Sequence, residues 1–294
     1  MNILEYPSIC LVTPCYNHAD FVGDTIESVV SQGYPNLEYV VVNDGSTDES
    51  EDVIRGYEQQ LHHWETWPGY RPGPAPAINR GFSFSSGEIM GWINSDDLLM
   101  PKSLFVVAEV FAQFPQVDWI TGVATTIDLK GRYIRSREYR KNSYDYLIGD
   151  WPIIQQESTF WRRRLWDAAG AKLDEGLAIT FDSELWCRFF MHAEHYHLEC
   201  PIGAYRKVPY STSIKRAAEY ARDTENNLQR FVQSAPANVL QRRTHYRIFR
   251  WLLRVFGSPA LTPWIGKIFG VPDFQYKALS YESVTGKWRM YSEW

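Results

Sequence analysis

Leu37-Glu-Tyr-Val-Val-Val-Asn-Asp-Gly-Ser46 decides how the chain is read: an apolar strand runs without warning into a polar turn. Upstream, Ile9-Cys-Leu-Val-Thr13 is a short apolar run of the kind buried on both faces of a parallel sheet. Between the two, Val22, Ile26, Val29 and Val30 follow helical spacing, with Asp20 to cap the helix and Gly33 and Pro35 to stop it. Downstream, Thr47 or Asp48 caps a polar helix reaching about Leu61, and Trp64 to Trp67 reads as a short third strand. Pro68 to Pro76 is Pro/Gly-rich loop, Ile89 to Ile93 a fourth strand ended by Asn94-Ser-Asp-Asp97, and Pro101 opens another helix. Strands separated by helices imply right-handed crossovers, so the fold class is α/β with a mostly parallel, Rossmann-like sheet flanked by helices.

After Pro115 the pattern changes. Asp118 to Asp128, Gly131 and Tyr133 to Tyr139 read as a hairpin; helices follow over Arg163 to Ala169 and Asp182 to Ala193, and His195 to Cys200 reads as a last strand. From about Ala217 the chain reads as mostly helical. The expected organisation is a catalytic unit over 1–215, with a nucleotide-binding half (7–115) and an acceptor-binding half (116–215), followed by a helical C-terminal extension over 216–294.

The composition fits a packed globular protein. Of 294 residues, 45% are apolar and 22% charged, which excludes disordered, collagenous and coiled-coil classes. No stretch approaches the roughly 18 to 20 apolar residues of a spanning helix. Met1 to Pro7 carries Glu5 and no basic-then-apolar leader, and Cys10, Cys15, Cys187 and Cys200 form neither a disulfide framework nor zinc spacing. A reduced, cytoplasmic protein is expected. Charge is segregated: the chain is −5 overall, yet 226–272 holds +7 and no acid, leaving −12 elsewhere. Such an acidic body repels a phosphate backbone, so nucleic acid is not an expected partner.

Three polar clusters fall at strand ends: Thr13-Pro-Cys-Tyr-Asn17, Asn43-Asp-Gly-Ser46 and Asn94-Ser-Asp-Asp97. Each alone is ordinary turn chemistry. Together they lie where an open α/β sheet binds its ligand, beyond the carboxyl ends of the strands. Paired carboxylates without His or Cys nearby favour a hard cation, Mg²⁺ or Mn²⁺, whose shell is completed by phosphate oxygens. Neither Gly-x-x-x-x-Gly-Lys nor Gly-x-Gly-x-x-Gly follows the first strand, so ATPase and dinucleotide dehydrogenase readings lack their main device.

These clusters, with Ser28-Val-Val-Ser-Gln32 before Tyr34-Pro35 and Val41-Val-Asn-Asp-Gly-Ser-Thr-Asp48, resemble the nucleotide-binding half of family 2 glycosyltransferases. Ala77-Ile-Asn-Arg-Gly81, Gly87-Glu-Ile-Met-Gly-Trp-Ile-Asn-Ser-Asp-Asp97, Gln155-Gln-Glu-Ser-Thr-Phe-Trp-Arg-Arg163 and Asp182-Ser-Glu-Leu-Trp186 continue the resemblance in order, over roughly residues 7 to 215. It implies a GT-A fold, a nucleotide-sugar donor, a divalent metal (Mn²⁺ or Mg²⁺) and inversion at the anomeric carbon. It further implies that Thr13, Pro14 and Tyr16 line the base, that Asp44 accepts a hydrogen bond from it, and that Asn79 lies on the nucleotide side. Asp96 and Asp97 stand at the DXD position for ribose and metal, and Asp182 at that of the catalytic base. Inversion needs one such base, because the attacking hydroxyl must lose its proton as the bond forms. Asp182 and Glu184 are two apart at a helix start and cannot share a face, so one of them serves. Gln156 and Glu157 replace a Gln-Pro-Ser pattern and are acceptor-side candidates, while Arg206, Lys207 or Lys215 are the cations available to cover the diphosphate. Without Gln-x-x-Arg-Trp, a processive synthase is disfavoured. The expected function is transfer to a glycan or lipid-linked acceptor hydroxyl in polysaccharide or cell-surface glycan synthesis. A nucleotidyltransferase and a non-catalytic sugar-nucleotide scaffold are the alternatives.

The basic tail has two readings. Arg243, Arg247, Arg250 and Arg254 recur in steps of three and four beside Ile248, Trp251, Leu252 and Val255. This helix either packs on the catalytic unit or lies in the plane of an anionic membrane, on the inner face of the plasma membrane.

Overall fold

The computed structural model describes residues 6–69, 73–150, 154–208, 216–256, 264 and 274–293. In chain order its elements are β1 (Ile9–Cys15), α1 (Ala19–Val30), β2 (Leu37–Asn43), α2 (Ser50–Arg55), β3 (His63–Thr66), α3 (Ala75–Phe82), β4 (Ile89–Trp92), β5 (Leu98–Leu99) and α4 (Ser103–Gln113). There follow β6 (Trp119–Gly122), β7 (Ala124–Ile127), β8 (Tyr133–Arg137), α5 (Ser143–Ile148), β9 (Thr159–Arg162), α6 (Arg163–Ala168), α7 (Phe181–His192), β10 (His195–Leu198) and β11 (Gly203–Arg206). The remainder forms α8 (Ala217–Ser234), α9 (Ala237–Phe256), β12 (Tyr276–Glu282) and β13 (Lys287–Glu293).

Nine strands make the central sheet in the order β13-β12-β10-β6-β9-β4-β1-β2-β3. Only β9 and β13 run against the rest, so the expected parallel α/β class holds. Strand β1 is buried along its whole length because both of its faces are covered. Ile9 and Leu11 pack with Val22, Ile26 and Val29 of α1, while Cys10 and Val12 face Ile78 of α3 and a tryptophan core on the other side. In that core Trp92, Trp119, Trp161 and Trp186 are each at most 1% exposed. Trp92 stacks on Trp186 with ring centres 5.7 Å apart, so these indoles fill the interior and do not face sugar. A second, four-stranded sheet, β5-β11-β7-β8, closes one end of the site.

Several sequence expectations shift. The cap of α1 is not Asp20, which sits in its first turn; the Ala19 N–H instead donates to Asp48 Oδ2 from the next loop, at 3.0 Å. Helix α3 begins at Ala75, inside the segment read as loop, because Pro76 suits the first turn of a helix; residues 70–72 of that loop lie outside the described residues. Of the hairpin read over 118–139, β7 and β8 pair, but β6 joins the central sheet beside β10.

The extension is not helical throughout. After α8 and α9, β12 pairs parallel with β10 and β13 folds back on β12, so the tail supplies two strands to the central sheet. Nor do the four arginines of α9 form one outward stripe. The Arg243 Nε–H donates to the Leu147 carbonyl, 2.7 Å, and Arg250 reaches Asp145 at 3.1 Å and Asp150 at 2.7 Å. Tyr246 and Phe249 are buried between them. Arg247 and Arg254 are left outward with the exposed Ile248, Trp251 and Val255. The apolar positions cannot all face inward when the inward stripe already carries Tyr246, Phe249 and two arginines. Among the described residues no helix is long and apolar enough to cross a membrane.

The Asp145 carboxylate is inaccessible; it accepts hydrogen bonds from the Tyr246 hydroxyl (2.6 Å) and from Arg250. Burial pushes its pKa up, and the Tyr246 hydrogen bond and the Lys141 and Arg250 charges oppose that rise. Arg250→Ala should therefore cost about 2 kcal/mol, the scale of a lost hydrogen bond to a charged group, in urea unfolding. An unchanged midpoint would show that Tyr246 and the Asn142 N–H already satisfy Asp145.

Candidate active site

Three loops at the carboxyl ends of β1, β2 and β4 are stitched together by short polar side chains. Asn17, held at φ +53°, accepts from the Thr47 N–H at 2.8 Å, and its own N–H donates to Ser46 Oγ at 3.0 Å. The His18 N–H donates to Ser50 Oγ, and His18 Nδ1 lies 2.7 Å from Ser95 Oγ. Gly45 turns at φ +73°, and a Cβ there would sit 3.1 Å from the Gly69 backbone. The turn needs glycine for both reasons.

Beyond these loops four carboxylates gather: Asp96, Asp97, Glu157 and Asp182. Asp97 is fully buried; one oxygen accepts the Arg206 N–H at 2.8 Å and the other the Asn94 amide at 3.2 Å. Burial first, then the charges of Glu157 and Asp96, hold its pKa well above the carboxylate range. Asp96 is only partly buried; burial raises it, and the nearby His18 charge works against that rise. Glu157 is pushed up to about 7, chiefly by burial, despite accepting from the Gln155 amide. The Asp182 pKa is raised by burial against the Ser183 N–H donated to its Oδ1 at 2.7 Å.

The residues expected on the nucleotide side divide. Tyr16 is exposed in the first loop, whereas Asp44 is buried at the start of the second. Thr13 and Pro14 are buried, and the Thr13 hydroxyl is spent on Tyr39 at 2.9 Å. Asn79 does not join the cluster: its amide bonds Leu173 through N–H and carbonyl and donates to Glu175, pinning the 173–175 loop to α3. Gln156 is tied through its Nε2 to the Trp92 carbonyl, leaving Oε1 buried without a partner. Glu184 is held by Arg188 one turn on, 2.7 Å away. Arg206 does not face a diphosphate. It lies behind the third loop, donating to the carbonyls of Asp96 (2.6 Å) and Leu129 (2.8 Å). Lys215 lies outside the described residues.

No three His, Cys, Asp or Glu side chains among the described residues converge closely enough to ligate an ion by themselves. A hard cation that arrives with phosphate oxygens needs only one or two protein carboxylates. Asp96, partly exposed in the third loop, fits that demand.

Residues 10–206 match the family described as glycosyl transferase family 2. The chain belongs to glycosyltransferase family 2. An uncharacterized glycosyltransferase of Rickettsia typhi is 26% identical over 198 residues, 65% of this chain and 61% of that protein. The chain thus spans about three-fifths of that relative's length. Among solved structures, Staphylococcus aureus TarS with UDP-GlcNAc aligns with a TM-score of 0.59 at 18% identity, over 69% of this chain and 60% of TarS. The mannosyltransferase PcManGT of Pyrobaculum calidifontis, solved with GDP-Man and Mn²⁺, aligns with a TM-score of 0.54 at 18% identity, over 91% and 81%. These are likenesses of fold, and they place the family 2 chain among GT-A glycosyltransferases.

Two features of the site escaped the sequence. His18 follows the first motif and reaches Ser95 across the pocket, but a lone His after Asn17 carries no spacing signal. Arg206, expected over the diphosphate, instead braces the third loop from behind, because nothing local shows the helix, hairpin and loop that surround it.

An acid whose folded pKa exceeds its unfolded value stabilises the fold at low pH and loses that contribution as pH rises. For Glu157 the window runs from about 4.5 to about 7. The thermal midpoint should fall between pH 5 and pH 8, and Glu157→Gln should reduce the fall. Equal falls in both proteins would place the Glu157 pKa at its ordinary value.

Proposed function

We propose that the chain is a metal-dependent, inverting glycosyltransferase that moves a sugar from a nucleotide donor to an acceptor hydroxyl in glycan synthesis. Tyr16 and Asp44 border the base, Asp96 faces the diphosphate, and Asp182 takes the acceptor proton. The observation that carries this reading is the contrast between two carboxylates on one helix. Asp182 Oδ1 is steadied by the Ser183 N–H, while its second oxygen makes no hydrogen bond among the described residues. Glu184 is spent on Arg188. A raised pKa strengthens Asp182 as a base once it is ionised, and the acceptor hydroxyl passes its proton to the free carboxylate oxygen as the new C–O bond forms and the bond to the diphosphate breaks.

A divalent cation, when bound, supplies Lewis-acid stabilisation of the departing diphosphate. Asp96 is the carboxylate with an open side to hold it; Asp97, expected to share this role, has both oxygens committed within the protein and positions the loop. Nucleotide-sugar binding by TarS and PcManGT, and Mn²⁺ in the latter, support the donor and metal assignments. Gln156 and Glu157 line the acceptor side. The anionic membrane is not part of the proposal, because Arg243 and Arg250 are used inside the molecule.

With UDP- and GDP-sugars and Mn²⁺, Asp182→Asn should lower kcat by roughly 10² to 10⁴ while nucleotide affinity stays within a few-fold. Glu184→Gln should lose stability and keep turnover. The opposite pair of results moves the base to Glu184.

A further inference from the structure

Strand β8 is the free edge of the four-stranded sheet, and it is exposed along nearly its whole length. Residues 130–141 carry Lys130, Arg132, Arg135, Arg137, Arg140 and Lys141 against the single acid Glu138, on a chain whose net charge is −5. Arg132 pairs with Asp128 at 2.7 Å, and Arg140 with Glu138 and Glu199. Arg135 and Arg137 form no ion pair among the described residues, and Tyr133 beside them is 66% exposed.

Register decides which way these arginines face. A Cβ on Gly203 would run into the Glu157 backbone, so that face of β11 packs on the segment that carries Glu157. Side chains two apart share a face, which puts Tyr205 on it too. Tyr205 pairs with Thr126, Thr126 with Arg135, and Ala124 with Arg137. One sheet face therefore runs from Glu157 through Tyr205 and Thr126 to two unpaired guanidinium groups, two strand spacings or about 10 Å beyond β11. On the opposite face, Arg206 anchors the hairpin turn by donating to the Leu129 carbonyl, so this ramp is fixed to the loop that carries Asp96.

We propose that the acceptor is an acidic glycan, a chain bearing repeated carboxylate or phosphodiester groups, which crosses this face with its charges on Arg135 and Arg137. The proposal rests on the glycosyltransferase reading above. Acidic groups are repelled by the partly exposed carboxylates Asp96 and Asp182 and attracted to cations set back from them. That arrangement holds the polymer while leaving a neutral hydroxyl at Asp182. The competing reading is edge protection, in which charged side chains keep β8 from pairing with another chain.

Fluorescent oligogalacturonate, inorganic polyphosphate and dextran, titrated into the full chain at low and high salt, separate the two readings. The acidic probes should bind and dextran should not, and binding should weaken as salt screens the contact. Whichever acidic probe binds more tightly names the anionic group. Arg135→Glu with Arg137→Glu should lower acidic-probe affinity at least tenfold, whereas Arg247→Glu with Arg254→Glu on α9 should not. If the double Glu variant fails to fold, Arg135→Gln with Arg137→Gln carries the same expectation with a smaller loss. Unchanged affinity in the β8 variant, with or without new dimers, or dextran binding equal to the acidic probes, overturns the proposal. UDP and GDP binding with Mn²⁺, followed in parallel, reports on the donor reading separately: its loss alone would remove that reading and leave the acidic-glycan surface standing.

Discussion

The buried Asp97–Arg206 contact holds the site together. Asp97 has no solvent access and accepts the Arg206 main-chain N–H, so strand β11 is tied to the loop after β4. The Arg206 side chain, itself inaccessible, holds the same loop through the Asp96 carbonyl and reaches two further elements: the Leu129 carbonyl in the β7–β8 turn and Asp24 of α1 at 3.3 Å. Its guanidinium also lies 5.1 Å from the centre of the Phe21 ring. One cation thus fixes the loop that aims Asp96, the helix that follows the first motif and the hairpin bordering the acceptor side. Burying a charge this deeply is tolerable because nearly every donor finds an oxygen.

That constraint explains how four carboxylates coexist. Asp97, both oxygens committed to protein donors, serves as scaffold; burial pushes Glu157 up to about 7; Asp96 and Asp182 keep open sides. Like charges packed this closely favour a cation between them, which is the physical basis of the metal role proposed for Asp96. The same negative pocket shapes what approaches from the other direction, which gives the arginines on the outer strand their role. Catalysis here depends on placing donor, base and acceptor hydroxyl together, and the stapled loops provide the rigidity for it.

Much of this was legible in the sequence, for identifiable reasons. Strands β1, β2 and β4 announce themselves because burial on both faces demands continuous apolar runs, and the clusters that end them mark the ligand edge. Asp182 and Glu184 were recognisable as a pair but not separable, since the choice depends on Arg188 one turn away. Thr13 and Asn79 carried the family pattern while their side chains serve Tyr39 and the 173–175 loop, contacts between positions 26 and 94 apart that no local pattern encodes. The final hairpin is not legible because β12 gains its meaning from β10, about 80 residues earlier. The two readings of α9 stay open in the sequence for a related reason: helical spacing reveals a stripe but not which stripe faces the body.

The account stands or falls on Asp96 as the carboxylate that meets a metal-bound diphosphate. Calorimetric titration of UDP and GDP into the wild-type chain and Asp96→Asn, with and without Mn²⁺, tests it directly. Nucleotide should bind the wild type only when Mn²⁺ is present, and Asp96→Asn should bind at least tenfold more weakly. Equal, metal-independent affinity in the two proteins would contradict it.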